Sequence, residues 1–189
     1  MLRIDSSTIV RLVLLLALLA CVARGEQPAT REAPPATRPG AVIEAYFSPK
    51  HAIAPMMVQL IDTAEHTLDV AAFTFSHRDI SMAIIRAHER GVKVRFLMDY
   101  TQSRLVTCRA IDLIEAGIEV RTRHRRGFQH NKYLIIDGAI VVTGSFNFAP
   151  SADNRNTENV VVFRHAPDIV AAFIANHDAI LKDTLVKAK

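Results

Sequence analysis

The sequence predicts an α/β fold, a mixed, mostly parallel β-sheet sandwiched between helices, and three observations carry that expectation. LDVAAFTF (68–75) is apolar nearly throughout, and VKVRFLMD (92–99) carries Val92, Val94 and the run FLM, as strands covered on both faces do. DISMAIIRAHERG (79–91) and PDIVAAFIANHDAIL (167–181) repeat their apolar residues at helical spacing. Strand-like and helix-like segments also alternate along the chain, the order expected when connections cross the faces of a sheet.

Taken in order, AVIEAYF (41–47) reads as an extended segment and residues 51–66 as a helix. The strand at 68–75 follows, then the helix at 79–91, which Gly91 ends. The next strand is 92–99. RLVTCRAIDLIEAG (104–117) reads as a helix closed by Gly117, with Cys108 as a buried helical thiol, and IEVRTR (118–123) as a strand. YLII and AIVVTG are β-branched runs separated by Asp137-Gly138, a hairpin turn signal, so 133–144 is expected to be an antiparallel hairpin. NVVVF (159–163) is a further strand, and 167–181 the final amphipathic helix.

Three domain segments are expected. Residues 1–25 hold Arg3 and Arg11 followed by the apolar run LVLLLALLACVA (12–23), the length of a secretory h-region and short for a membrane span. This reads as an export signal, with cleavage after Ala23-Arg24-Gly25 and lipid attachment at Cys21 as alternative exits, and an uncleaved anchor as the competing reading. Residues 26–40 carry four of the eight prolines and no large apolar side chain, the composition of a tether. Residues 41–189 are one domain's worth of chain. An exported protein, periplasmic, secreted or lipid-anchored, follows from this reading.

The net charge of +4 is weak evidence for a polyanionic partner. The leader to Gly25 takes Arg3, Arg11 and Arg24 against Asp5, which leaves 20 basic and 18 acidic residues of the original 23 and 19. Local charge says more: in RTRHRRGFQH (121–130), Arg121, Arg123, Arg125 and Arg126 precede His130 with no acidic residue among them. Such a run is ordinarily a solvated loop; beside a polar cluster it becomes a candidate substrate contact. Of two cysteines, Cys21 lies in the leader, so no disulfide is expected within the domain.

The polar cluster is made by the hairpin HNKYLIIDGAIVVTGSFN (130–147). Its apolar residues are accounted for by two strands, which leaves His130 and Lys132 at the entry of the first and Ser145 and Asn147 at the exit of the second. In an antiparallel pair those ends are neighbours. A serine hydrolase is disfavoured because no GxSxG elbow surrounds Ser145. A metal site is disfavoured because His130 lacks an HxH or HExxH companion and Lys132 would repel a cation. A phosphate fits the group: lysine binds its oxygens as a point charge, serine and asparagine offer neutral donors, and an imidazole can attack phosphorus or transfer a proton.

The pattern H130-x-K132-x4-D137-x6-G144-S145-x-N147 resembles the HKD signature of the phospholipase D superfamily, with AYFSP (45–49) and NRNTENVVV (154–162) also similar in type. With its single copy of the motif and short length, the chain looks most like the family's small bacterial endonucleases. The resemblance implies His130 as a nucleophile that becomes phosphohistidine, Lys132 and Asn147 as holders of the nonbridging oxygens, Ser145 as a further donor, and Glu158 as the hydrogen-bond partner of the histidine's other nitrogen. It implies no cofactor and no divalent metal. Asp137 is the position where a structural role is preferred, because Asp-Gly at a hairpin tip lies a strand's length from His130.

A nucleophilic imidazole must be unprotonated while the leaving oxygen needs a proton, so one histidine is not enough. The single motif therefore predicts a homodimer with two copies of His130 at one composite site. The sequence leaves three functions open: a metal-independent phosphodiesterase acting on DNA or RNA without sequence preference, a phospholipase on a membrane surface, favoured by a lipid anchor at Cys21, and a binding module that has kept a phosphate site.

Overall fold

In this computed structural model residues 40–124 and 127–186 are described, so the expected export signal, nearly all of the tether, and Arg125 and Arg126 lie outside the described residues. Eight strands form a single sheet in the order β1-β7-β6-β5-β2-β3-β4-β8. They are β1 (Val42–Ser48), β2 (Thr67–Ala72), β3 (Lys93–Asp99), β4 (Val120–Arg123), β5 (Tyr133–Ile136), β6 (Ile140–Gly144), β7 (Glu158–Arg164) and β8 (Thr184–Val186).

Period-two alternation divides the apolar residues between the two faces of the sheet. Leu68, Val70, Ala72, Phe96, Met98, Leu134 and Ile136 enter one core. The helices α1 (Ile53–Asp62), α2 (Arg78–Glu89), α3 (Ala110–Glu115) and α4 (Pro150–Asn154) cover that core with residues such as Met57, Ile84, Leu113 and Ala152. The intervening residues Ala71, Leu97, Tyr133, Ile135 and Val141 face the other way, against Val170, Phe173, Ile174 and Ile180 of α5 (Pro167–Leu181). The expected sandwich is therefore present.

The sheet is mixed in a more particular way than expected. β1, β2, β3, β4 and β6 run in one direction and β5, β7 and β8 in the other, yet only the β2–β3 and β3–β4 pairings are parallel. β5 lies between β2 and β6, and β7 between β6 and β1, so antiparallel ladders separate strands of like direction, and β8 adds one more at the edge against β4. The helix expected over 104–117 is shorter, a 3-10 turn at Gln102–Arg104 followed by α3. The amide of Arg109 donates to the Phe75 carbonyl at 2.9 Å instead of continuing a helical ladder, and Val106 is left fully exposed. Cys108 accordingly occupies a half-buried loop position, not a helix.

The hairpin tip confirms the structural role of Asp137. Its carboxylate accepts the backbone N–H groups of Glu65, His66 and Thr67 at 3.0, 2.7 and 2.8 Å, and so ties the tip to the start of β2. Burial opposes ionisation, but those three donors hold the pKa below the ordinary aspartate range. A depressed pKa means the contribution is present above the unfolded value, near pH 4, and is lost as pH falls through the lower folded value. Asp137→Ala should therefore cost about 2 kcal/mol at neutral pH. The difference from the wild type, measured as denaturation midpoints at pH 7 and in acid, should shrink at the lower pH; a difference independent of pH would contradict this role.

Behind the hairpin, Tyr133 Oη lies 3.0 Å from His177 Nδ1, both side chains fully enclosed between sheet and α5. Burial pushes the tyrosine pKa up and the histidine pKa down.

Candidate active site

The register of the hairpin decides where its polar ends go. Tyr133 pairs with Thr143, and Gly144 in turn pairs with Val160 of β7, so the lead-in to β5, the exit of β6 and the start of β7 share one end of the sheet. Thr143 Oγ1 locks this arrangement by donating to the Lys132 carbonyl at 3.1 Å. The same end holds the C-terminal ends of the parallel strands β2 and β3, the side on which open α/β sheets form their crevices.

Lys132 is only 8% exposed although it is charged. Its Nζ donates to the His130 carbonyl at 2.8 Å and stands 3.3 and 3.4 Å from the two ring nitrogens of His130. The ammonium also lies 5.3 Å from the centroid of Phe73, and the imidazole stacks obliquely on that ring at 4.4 Å. Burial draws the Lys132 pKa below the ordinary lysine value, while the Glu158 carboxylate opposes the shift. His130 itself is exposed, so the imidazole faces solvent with its lysine beneath it.

On the neighbouring strands, Ser145 Oγ donates to Glu158 and accepts the Asn159 amide at 3.0 Å. Asn156 Nδ2 donates to the second Glu158 oxygen at 2.8 Å. The expected hydrogen bond from a His130 ring N–H to Glu158 is not made among the described residues. Both carboxylate oxygens are engaged by Ser145 and Asn156, and the imidazole is turned against Phe73. Among the described residues the buried Asn147 Oδ1 accepts no hydrogen bond, so this acceptor at the exit of β6 is unsatisfied.

Two residues that the sequence pattern does not single out hold the His130 segment. Asp99, at the end of β3, accepts the Gln102 amide through Oδ1 and the Gln129 amide through Oδ2, each at 3.0 Å. The buried Gln129 in turn accepts the Asn131 amide at 2.7 Å and donates to the carbonyls of Ala72 and Asn131. These bonds fix the backbone on both sides of His130. A carboxylate closing the apolar run FLM was the available signal for Asp99; Gln129 had none.

The arginine run divides. Arg121 is taken up by the sheet edge, where it bonds Glu119 and both the hydroxyl and the carbonyl of Thr184, so its expected role in substrate contact is corrected to a structural one. Arg123 has no side-chain partner among the described residues and lines a cleft of 320 Å³ together with Asp99, Tyr100, His124 and Phe128.

Comparison with known proteins agrees with this geometry. The family model described as "Cardiolipin synthase, PLD-like domain" matches residues 57–181. A Rickettsia prowazekii protein named phospholipase D is 40% identical over 116 residues, which cover 61% of this chain and 57% of that one. A Chlamydomonas reinhardtii protein named mitochondrial cardiolipin hydrolase is 35% identical over 118 residues, covering 62% of this chain and 52% of its own length. The chain thus spans little more than half the length of these curated relatives. The crystal structure of Nuc from Salmonella typhimurium, described as a phospholipase D family member, superposes with a TM-score of 0.73 at 27% identity and covers 79% of this chain and 99% of that one. With the His130–Asn147 hairpin, Glu158 and most of the sheet inside the matched segment, the chain belongs to the phospholipase D superfamily.

Proposed function

We propose that the protein is a metal-independent phosphodiester hydrolase that cuts nucleic acid, DNA and by the same chemistry RNA, without sequence preference. The observation that carries the reading is the exposed His130 imidazole with the buried Lys132 ammonium 3.3 Å from its ring, at the end of the sheet where Glu158 begins β7. In the first step an imidazole nitrogen of His130 bonds to phosphorus, the ester P–O bond breaks, and the leaving oxygen takes a proton from a second imidazole. That imidazole, now neutral, removes a proton from water as the water oxygen attacks phosphorus and the P–N bond breaks. Lys132 and Asn147 serve the nonbridging oxygens, and Ser145, just after β6, gives its one hydroxyl proton to Glu158 and so acts through that carboxylate.

The second imidazole is His130 of a second copy, because one motif supplies one histidine. A homodimer with a shared site on its two-fold axis follows. Nucleic acid is favoured by the sequence resemblance to small single-motif bacterial endonucleases, by a domain matching Nuc over 99% of Nuc's length, and by Arg123, which makes no ion pair among the described residues and lines a cleft with Phe128. Export, with either cleavage after Gly25 or lipid attachment at Cys21, belongs to the same proposal.

A second reading, hydrolysis of membrane phospholipids, has its own support: the 40% identity to a protein named phospholipase D, and the exposed apolar Leu105, Val106 and Ile111 beside the same end of the sheet. The two are separated by incubating the purified full-length protein in excess EDTA with plasmid, with single-stranded DNA and with phospholipid vesicles. Cleavage of DNA is expected. Hydrolysis of vesicles with both DNAs intact would overturn the nuclease reading in favour of the lipid one.

The electrostatics of Lys132 make a further expectation. The Glu158 charge holds up a pKa that burial lowers, so Glu158→Gln should let Lys132 lose its proton at lower pH and move the alkaline limb of the activity profile toward neutrality. A pH–rate profile of the variant that coincides with the wild type on that limb would remove Lys132 from the explanation.

A further inference from the structure

Two positions before His130 the chain leaves a large aromatic side chain in water. Phe128 is 62% exposed, and its one aromatic partner among the described residues is Phe73, edge to face at 5.8 Å between centroids. The backbone that presents it is nonetheless held in place, because the next residue, Gln129, is anchored through its amide to Asp99. Phe73 also carries the His130 imidazole at 4.4 Å, so Phe128 continues an aromatic row that begins at the proposed nucleophile.

Behind Phe128 lies the 320 Å³ cleft. Tyr100 and His124 meet edge to face in it at 4.1 Å, and Arg104 donates to the Tyr100 hydroxyl and stands over its ring at 5.6 Å. Arg123 lines the same cleft with no side-chain partner among the described residues. At the base of the cleft the Asp99 oxygens already accept two backbone amides.

We infer that Phe128 and the cleft lined by Tyr100, Arg123 and His124 form a base-stacking subsite for the nucleotide next to the scissile phosphate, and that the preferred substrate is therefore a single strand. The inference rests on the nucleic-acid reading above. A planar base covers an exposed aromatic face whatever its identity, which suits cleavage without sequence preference, and Arg123 is placed for that nucleotide's phosphate. In a duplex the base faces are already covered by their neighbours, and a diacyl phospholipid has no planar face to offer.

The test measures kcat/KM of the full-length protein on a single-stranded oligonucleotide and on an abasic strand of the same length and backbone. The wild type should prefer the base-bearing strand. Phe128→Ala should reduce the ratio of the two values by about tenfold to a hundredfold, the order of one lost stacking contact, and Phe128→Tyr should preserve it. A ratio near one in the wild type, or a ratio unchanged in Phe128→Ala, overturns the subsite while leaving a nuclease. A wild type that cuts neither strand but hydrolyses phospholipid vesicles overturns the subsite and the nucleic-acid reading together.

Discussion

Replacing His130 with alanine is expected to reduce phosphodiester cleavage by on the order of 10⁴-fold or more, the scale on which removal of a covalent nucleophile is felt. Stability should hardly change. The imidazole is exposed and its segment is fixed through the backbone by Gln129 and Asp99, so the denaturation midpoint of the variant should match the wild type. This separates lost chemistry from lost fold.

The same variant tests the composite site. If each reaction needs the imidazoles of two copies, a mixed dimer of wild type and His130→Ala is as inactive as the pure variant. After subunit exchange at equal concentrations only the wild-type homodimers, roughly a quarter of all dimers, should remain active. Activity settling at one half would mean that each subunit works alone, and so would sedimentation of an active monomer.

The second large effect is expected at Gly144. A Cβ at this position would lie 2.1 Å from the Asn159 carbonyl oxygen and 2.9 Å from both the Asn159 carbonyl carbon and Val160 Cα. The obstruction is backbone of the adjacent strand, which cannot rotate away as a side chain would. The two strands are also joined there by the Ser145 amide, which donates to that oxygen at 3.0 Å. Gly144→Ala must therefore push β7 away from β6 at the level of Ser145 and Glu158, at a cost of about 3 kcal/mol or more. Chemical denaturation should show the lower midpoint, and activity should fall as well because Ser145 and Asn147 follow directly on the displaced strand. A variant with the wild-type midpoint and wild-type activity would show that this close approach is not required.

These two positions mark how far the sequence could be read. The hairpin and its polar ends were legible because two β-branched runs around Asp137-Gly138 fix a register, and the register fixes which residues are neighbours. The spacing also identified Gly144 but not its reason, since the approach of Asn159 is a property of the paired strands and not of either alone. The long helix expected through Cys108 failed for a similar cause: a single bond from Arg109 to Phe75, remote in sequence, outweighs local helical preference. Arg121 and Arg123 look equivalent in the run of arginines, yet β8 takes one of them and leaves the other. β8 and α4 span three and five residues, too few to show a period.

The hairpin that carries the polar cluster lies inside the sheet, with β2 on one side and β7 on the other, and its tip is stapled to the main chain by Asp137. No flap or edge strand bears these groups, so they have no cheap way to come apart while the rest of the molecule stays folded. Catalytic competence is thereby made an all-or-none property: a molecule that has kept its sheet has kept its reaction centre, and damage anywhere in the central strands removes both at once.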